Sequence, residues 1–552
     1  MVRNRSIFLI ILILLSGIKI NSQIYYRVDF SNKFNTNYSL DQPELFLSNK
    51  AIERREKFNI PIDSTDLPVN SWYLDSLTSL DCEVLYTSRW FNSAVIKIQN
   101  DNIINRILQL PFVVNAQLVK PKINKETDET KITTPSIAYS DITKKSTKIP
   151  QTIYGFSTNQ NQMIGIHILH QMGYKGDGIV IAVLDAGFSG CDHIPFFDSL
   201  RLKSRLLGTK DFVFPGNNVY NKSNHGTSVL ALMASNIPNI LVGTAPEASY
   251  WLIRTEDPSS EYLIEEENWI AGAEFADSVG VDIINSSLGY TTFNLNSQNH
   301  SYTDLDGKTT RVSKGAAMAA SKGMIICNSA GNSGNSSWYY IGAPADADSI
   351  ITVGAVDSLG IVVEFSSKGP TYDGRIKPTV CAQGANVFTA SQDSSIIMGN
   401  GTSFSSPIIA GATACLLQKH PNSDPISIIT SIIKSANRYL TPNNFYGYGI
   451  PNFAVADILA NDTSISSPPW LESTPFIYPN PFTSYINIIY QSKEKSFLDI
   501  ALYSINGTQV FKNIYQLFPG NNYIIIEQLD SLSSGIYIIA IGANKTIKVV
   551  KQ

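Results

Sequence analysis

The residues from about 158 to 459 alternate continuous apolar runs with stretches of helical periodicity. The predicted strands are residues 179–184, 282–284, 324–327 and 350–353, and the predicted helices are 228–234, 269–278 and 315–321. Strands that are apolar on both faces and alternate with helices predict a mostly parallel sheet with helices on both faces, which is the α/β class. Ligand sites in such sheets collect at the carboxyl ends of the strands, where Asp185 and Asn328 fall.

Two smaller units flank this region. Residues 24–118 combine a charged helical stretch at 46–58 with a strand, helix and strand at 94–98, 103–110 and 113–114, which predicts a small α+β module. Residues 476–552 contain short β-rich runs, and Asn506-Gly507 between two of them is a strong hairpin signal, so a β-sandwich is expected. Polar segments at 119–157 and 460–475 are predicted to be linkers.

The amino terminus has the pattern of a secretory signal. Arg3 and Arg5 precede the apolar run 7–15, and small and polar residues follow at 21–23, so residues 1–22 are predicted to be a cleaved signal peptide. No later stretch reaches the roughly 18 apolar residues of a membrane-spanning helix. We therefore expect a soluble chain outside the cytoplasm.

Charge and cysteine content narrow the possible partners. The net charge is −4, from 42 basic and 46 acidic residues without a long block of one sign, so nothing indicates binding to nucleic acid. The five cysteines show no C-x-x-C pair, which argues against a zinc knuckle or a disulfide scaffold. Buried free thiols are favoured, although one disulfide remains open.

Three distant segments carry an acid, an imidazole and a hydroxyl. They are VLDAG around Asp185, NHGTS around His225 and GTSFSSP around Ser403. A serine hydroxyl becomes a nucleophile when a base lies within hydrogen-bond reach and a third group orients that base. Singly, an acid at a strand end or a histidine at a helix start is more often structural. Together, in the order acid, histidine, serine, they predict a proton-relay triad for nucleophilic catalysis.

Two further features suit such a site. Ser403 precedes the apolar helical stretch 408–417, so its backbone amide is expected at a helix amino end, where negative charge is favoured. Asn332 lies in the glycine-flanked segment SAGNSG, directly after a predicted strand. Alone, this segment would be read as a turn. Beside the other three groups, its side-chain amide is a candidate donor to a developing oxyanion.

With these motifs, residues 158–459 resemble the subtilisin-like (subtilase) family of serine endopeptidases, and GTAPEA at 243–248 and FSSKG at 365–369 add to the likeness. The resemblance implies a catalytic triad of Asp185, His225 and Ser403, with Asn332 as the oxyanion donor. It also implies that NSSLG at 285–289 pairs with an extended substrate through Ser287, Leu288 and Gly289.

Two positions depart from the family pattern. Ala186 stands where a Ser or Thr usually follows the acid, which removes a hydroxyl that could brace the carboxylate. The family's Ala-Pro-Gly turn is replaced by AQG at 382–384, so the geometry of that loop is less defined.

The flanking units also resemble known modules. The amino-terminal unit is similar to a subtilase pro-domain, which implies a zymogen. The carboxyl-terminal unit, with YPNPF at 478–482 and SGIYI at 534–538, is similar to sorting domains of the type IX secretion system. The resemblance implies a secreted or cell-surface protein that passes through the periplasm and meets the secretion machinery. A carbohydrate- or protein-binding β-sandwich is the alternative for this unit.

The sequence thus predicts a secreted serine endopeptidase that acts on protein or peptide substrates. The reaction requires no cofactor, the sequence suggests no metal ligands in the site, and structural calcium is left open. The main alternative is a catalytically impaired subtilase scaffold that acts in surface adhesion or binding. An esterase of the α/β-hydrolase type is disfavoured because its triad members follow a different chain order.

Overall fold

The structure is a computed structural model that describes residues 23–122, 136–138, 152–461, 475–478, 480–492, 494–517, 520–542 and 545–552. The predicted signal peptide and most of both predicted linkers lie outside these residues.

The amino-terminal unit is the predicted α+β module. Its strands are β1 (Ile24–Phe30), β2 (Glu83–Ser88), β3 (Ser93–Ile98) and β4 (Val113–Lys120), and its helices are α1 (Asn49–Lys57), α2 (Ser71–Thr78) and α3 (Asn102–Ile107). The strands form an antiparallel sheet in the order β2-β3-β1-β4. Its core is apolar, and Ser48 starts α1 by accepting a hydrogen bond from the Ala51 amide at 3.2 Å.

The central unit is built on a parallel sheet. Its strands, with a short strand from the preceding segment, are β5 (Ser136–Ala138), β6 (Val180–Asp185), β7 (Leu206–Asp211), β8 (Asn236–Ile237), β9 (Leu241–Val242), β10 (Ser249–Arg254), β11 (Ile283–Ser286), β12 (Ile325–Ser329), β13 (Ile351–Val356), β14 (Val380–Gln383), β15 (Val387–Ala390) and β16 (Ser395–Gly399). Seven of them run parallel in the order β14-β13-β12-β11-β6-β10-β7. Every residue of β6 is buried, as expected for a central strand covered on both faces.

Helices cover both faces of this sheet. They are α4 (Thr158–Met163), α5 (Ile166–Gln171), α6 (Asp198–Leu202), α7 (His225–Ala234), α8 (Ile264–Ser278), α9 (Arg311–Ser321), α10 (Thr402–Lys419), α11 (Pro425–Ser435) and α12 (Phe453–Asn461). One apolar core contains residues of α7 and α10, and the core on the opposite face contains residues of α8 and α9. This arrangement confirms the predicted α/β class.

The carboxyl-terminal unit contains two antiparallel sheets around an apolar core of its own. The strands are β17 (Phe476–Tyr478), β18 (Ile486–Ser492), β19 (Ser496–Ser504), β20 (Gln509–Leu517), β21 (Gly520–Ile526), β22 (Gly535–Ile541) and β23 (Lys545–Lys551). The sheet orders are β17-β18-β21 and β20-β19-β22-β23. The predicted Asn506-Gly507 turn joins β19 to β20, and Gly507 has a φ of +82° that favours glycine.

The amino-terminal module packs on α8 of the central unit through buried ion pairs. Asp277 accepts hydrogen bonds from Arg54 at 2.5 Å, Arg55 at 2.9 Å and Arg89 at 2.6 Å, and all four side chains are buried. Closer to the start of α8, Arg27 binds Glu267 at 2.8 Å. The module therefore covers α8 with fixed charges as well as with apolar surface.

All five cysteines are buried in the protein as free thiols, which is the state that the sequence favoured. Among the described helices, none combines the length and the apolar character that crossing a membrane requires.

Candidate active site

The topology brings the predicted site residues to one edge of the sheet. β6, β11 and β12 are neighbours and run parallel, so their carboxyl ends lie side by side. Asp185 is the last residue of β6, Ser287 directly follows β11, and Asn332 lies in the loop after β12. The first turns of α7 and α10 supply His225 and Ser403.

Asp185 and His225 are in direct contact. Nδ1 of His225 lies 2.8 Å and 3.0 Å from the two carboxylate oxygens of Asp185. An ionised carboxylate only accepts hydrogen bonds, so Nδ1 carries the proton and Nε2 is left as the basic nitrogen. The Asp185 side chain is fully buried, whereas 36% of the His225 side chain is exposed. The imidazole is thus held from one side and reachable from the other.

The electrostatics of this pair favour the charged imidazole. Burial would lower the pKa of His225, but the charge of Asp185 and the hydrogen bond to it outweigh burial, and the pKa is raised above 6.5. The hydroxyl expected beside the acid is absent because residue 186 is alanine. In its place the backbone N–H of Ala186 donates to Oδ1 of Asp185 at 2.7 Å. The carboxylate is therefore braced by the main chain.

Ser403 lies in the first turn of α10 and points toward the end of β11. Its Oγ donates to the carbonyl of Ser287 at 3.3 Å, and Oγ of Ser287 donates to the carbonyl of Ser403 at 2.9 Å. Ser403 and His225 both lie in the described part of the chain, and no hydrogen bond joins them. The imidazole does lie beside the next residue, with 6.2 Å between its centroid and that of the Phe404 ring. The structure thus brings acid and base together and places the hydroxyl on the adjoining turn.

Asn332 is oriented by the start of α10. Its Oδ1 accepts from the backbone N–H of Thr402 at 2.9 Å and from the Thr402 hydroxyl at 3.0 Å. A Cβ on Gly401 would lie 3.5 Å from Nδ2 of Asn332, so the amide nitrogen lies close to this turn. The Ser403 N–H, in the first turn of the helix, donates to no group among the described residues. Two donors are therefore available beside Ser403.

The segment after β11 offers a free backbone edge. Leu288 is half-buried, Gly289 is exposed, and the backbone groups of Gly289 make no hydrogen bond within the described chain. The carbonyl of Leu288 accepts from Nδ2 of Asn328 at 3.1 Å. Tyr290 and Ala343 then exchange backbone hydrogen bonds at 2.7 Å and 3.1 Å, which fixes the far end of the segment. An extended peptide could pair with the part that remains free.

One cluster near this edge was missed by sequence reasoning. Glu256, Glu261 and Glu265 each place a carboxylate oxygen within 4.8 Å of the other two. The hydroxyl of Tyr290, which follows the free backbone edge, donates to Glu256. A usable signal exists in the sequence, because Glu265 begins a run of three glutamates in the first turn of a largely buried helix.

Each of the three units matches the model of a known protein family. The model of the Subtilase family matches residues 176–449. The model of the Peptidase S8 propeptide domain of Bacteroidota matches residues 25–134, and that of the Secretion system C-terminal sorting domain matches residues 476–552.

Individual relatives have similar sequences over more than half of this chain. Subtilisin E of Bacillus subtilis (strain 168) is 31% identical over 329 residues, which are 58% of this chain and 76% of the relative. Subtilisin of Bacillus pumilus is 31% identical over 294 residues, 52% of this chain and 94% of the relative. Among solved structures, the crystal structure of MycP1 with the N-terminal propeptide removed has a TM-score of 0.43 and 22% identity, and covers 56% of this chain and 98% of its own.

The chain therefore belongs to the subtilase family and is a serine endopeptidase. The propeptide match identifies it as a zymogen, and the sorting match identifies it as a secreted or cell-surface protein.

Proposed function

We propose that Asp185, His225 and Ser403 are the catalytic triad of this endopeptidase, with Asn332 and the Ser403 amide as oxyanion donors. The observation that carries the proposal is the contact of 2.8 Å and 3.0 Å between His225 and Asp185. This contact fixes the tautomer in which Nε2 of His225 can accept a proton. Without it, a serine at the start of a helix would have no oriented base.

The first step requires the Ser403 hydroxyl to turn from the Ser287 carbonyl toward Nε2 of His225. The bond that it leaves is long, at 3.3 Å, and catalytic hydrogen bonds commonly tighten only once substrate is bound. His225 then takes the proton while Oγ forms a bond to the carbonyl carbon of the scissile peptide. Asp185 stabilises the resulting imidazolium through Nδ1–H.

The negative charge then develops on the former carbonyl oxygen. Nδ2 of Asn332 and the N–H of Ser403 donate to it, and the amino end of α10 adds a favourable dipole. His225 returns its proton to the leaving nitrogen as the C–N bond breaks, which leaves an acyl group on Ser403. Water, deprotonated by His225, hydrolyses this ester and restores the serine.

The substrate is proposed to bind as an extended strand beside Ser287, Leu288 and Gly289. Support comes from the free backbone groups of Gly289 and from the position of this segment next to Ser403. Main-chain hydrogen bonds give affinity to such a strand with little regard to its sequence. Specificity must then arise from the pockets that receive alternate side chains.

The three units suggest a sequence of events for the whole chain. The carboxyl-terminal domain directs export by the type IX secretion machinery, and the pro-domain blocks the enzyme until it is cleaved off. The triad requires no cofactor for its chemistry.

Covalent labelling tests the proposal. The secreted mature protein should react with a fluorophosphonate probe, and Ser403→Ala should abolish labelling. Ser405→Ala is a matched control, because Ser405 lies on the same turn, is buried and bonds to the carbonyl of Thr402 at 2.9 Å. Labelling that persists in Ser403→Ala would assign the nucleophile elsewhere. No labelling of the parent protein would favour a scaffold without activity.

A further inference from the structure

The larger sheet of the carboxyl-terminal sandwich, β20-β19-β22-β23, carries large apolar side chains on both of its faces. Successive side chains of a strand point to opposite faces, so a sheet with one face on the core is expected to be polar on the other. The inner face packs on the core, where Leu498, Ile500 and Leu502 of β19 are buried. The outward positions also carry large apolar or aromatic side chains. We call five of them the outer apolar face: Phe497, Tyr503, Ile514, Ile536 and Ile538.

The pairing of the strands makes these side chains neighbours. Tyr503 of β19 is paired with Ile538 of β22, and Ile514 of β20 is paired with Asp499, two residues from Phe497. Residues directly opposite each other lie on the same face with their Cβ atoms about 4.5–5.5 Å apart, and diagonal pairs are within reach of long side chains. Phe497 is 73% exposed and Ile514 is 60% exposed. Apolar side chains that cluster on the surface of a domain with its own core indicate a binding surface.

The charges on this sheet face indicate which kind of partner fits it. Lys512 of β20 lies 3.0 Å from Asp499 of β19, so these two charges compensate each other within the patch. Lys548 of β23, opposite Ile538, adds one positive charge at the rim. Binding to an anionic membrane surface takes a cluster of about 4–8 basic residues, which this face lacks. An apolar centre with polar groups at its rim is instead the composition of a protein–protein interface.

The peptidase leaves the outer apolar face free. The cavity between the two units is lined on the sandwich side by residues that include Tyr485 and Ile525, and Ile525 belongs to β21 of the other sheet. Both sheets contribute to one core, so they lie on opposite sides of it. The outer apolar face therefore points away from the contact with the peptidase. A partner can reach it while the peptidase is still attached, as export of the whole chain requires.

We propose that the outer apolar face is the surface by which the type IX secretion machinery binds this chain, and that its partner is a machinery protein with a complementary apolar surface. The proposal rests on the proposed role of the carboxyl-terminal domain in export. Residues 476–552 match a secretion system sorting domain, so a partner must bind this domain during export. A binding surface needs apolar area that the folded domain does not use for itself, and the outer apolar face provides it.

Export of a double variant tests the proposal. Phe497→Thr with Ile514→Thr removes the two most exposed side chains of the face, and threonine is well suited to a strand. The matched control is Leu359→Thr with Ile361→Thr, because these side chains are 82% and 55% exposed on a turn of the peptidase. All chains carry Ser403→Ala to prevent self-digestion and are produced in a host with a type IX secretion system. We expect about tenfold less of the face variant in the medium, with accumulation in the periplasm, and parental export of the control.

Three further measurements separate the possible outcomes. A chain without residues 476–552 is fractionated in parallel: if it is exported, the export role of the domain itself is wrong. If it is retained while the face variant is exported at the parental level, the outer apolar face is not the binding surface.

Hydrogen exchange in β18 and β21 of the purified chains reports whether the sandwich still folds, and Ile514→Thr alone replaces the double variant if protection there is lost. Sedimentation of parent and face variant tests for a second copy of the chain as the partner. A parental dimer that the face variant does not form, together with unchanged export, would overturn the proposal and assign the face to self-association.

Discussion

In the proposed mechanism, the two ends of the Asn332 side chain have different functions. Oδ1 holds Thr402 at the start of α10, and Nδ2 remains free to donate to an oxyanion. Loss of one oxyanion donor typically costs about 2.7–4 kcal/mol of transition-state stabilisation. We expect Asn332→Ala to lower kcat by about 10²- to 10³-fold with little change in KM, as measured by steady-state hydrolysis of a peptide substrate.

Asn332→Asp separates the two functions. Its carboxylate keeps an acceptor for Thr402 but cannot donate while ionised, so it should lose at least as much kcat as the alanine variant. A kcat for Asn332→Asp close to that of the parent would mean that the Thr402 contact, and not the amide donor, is what the enzyme needs.

In the proposed mechanism, the pair of Asp185 and His225 makes the activity dependent on pH. His225 acts as a base only when neutral, so kcat/KM should rise with pH as the imidazole loses its proton. Because Asp185 raises the pKa of His225 above 6.5, the midpoint of this rise should lie above pH 6.5. In Asp185→Asn only burial remains, so the midpoint should move to lower pH while kcat falls by about 10⁴-fold. The pH profiles of kcat/KM for the parent enzyme and for Asp185→Asn measure this shift. An unchanged midpoint would show that Asp185 does not set the basicity of His225.

At the scale of the elements, apolar runs predicted the central strands because those strands are buried on both faces. β6, β11, β12 and β13 fall within a few residues of the predicted positions. β7, β10 and β14 were not among the predicted strands. β7 gave little signal because its sequence LLGTKD is only partly buried and carries polar residues. α8 was expected at 269 but begins at Ile264, since Glu265, Glu266 and Glu267 break the apolar pattern although they are buried.

The same reasoning explains what could be predicted of the site. Local motifs predicted Asp185, His225, Ser403 and Asn332 as site residues because each lies at or shortly after the end of a strand, or at the start of a helix, that the sequence pattern indicates. The sequence shows the run of three glutamates that begins at Glu265, but it does not show that Glu256 and Glu261 lie beside Glu265, because that depends on how α8 packs against the loop after β10. The contact between Ser403 and Ser287 is likewise a property of the tertiary structure.

The helix α8 also carries the main charged contact with the pro-domain. Asp277 near its carboxyl end is fully buried and accepts from Arg54, Arg55 and Arg89. Removing one partner of a buried ion pair typically costs about 3–5 kcal/mol, because the remaining charges stay buried. In the full-length Ser403→Ala chain, Asp277→Ala should therefore increase hydrogen exchange across β1–β4 by more than 100-fold wherever exchange requires release of the pro-domain.

An exposed ion pair of the central unit provides the control for this experiment. Lys175 and Glu247 lie 3.4 Å apart with about a third of each side chain exposed, and such a pair contributes at most about 1 kcal/mol. Glu247→Gln should leave exchange in β1–β4 unchanged. Equal protection of the pro-domain in Asp277→Ala and in the parent would show that apolar contacts alone hold it in place.

At the scale of the whole molecule, the units have separate cores. Among the described residues, the apolar core of the carboxyl-terminal sandwich contains only residues between 477 and 549, and the proposed triad residues lie in the central unit between 185 and 403. Catalysis and export should therefore be separable. The pro-domain differs in this respect, because its buried arginines share Asp277 with the central unit.

Removal of residues 476–552 tests this separation in a host with a type IX secretion system. We expect the shortened chain to accumulate in the periplasm, because the sorting domain is the part that the secretion machinery must contact. The apolar core of the sorting domain is separate from the peptidase. Peptidase extracted from the periplasm and freed of its pro-domain should therefore hydrolyse peptides with a kcat within a few-fold of the full-length enzyme. Cell fractionation with activity assays measures both quantities, and full-length Ser403→Ala, which should still be exported, is the control for folding without activity. Shortened chain found in the medium at parental levels would mean that the sandwich serves another purpose, and loss of kcat after removal would mean that it supports the peptidase.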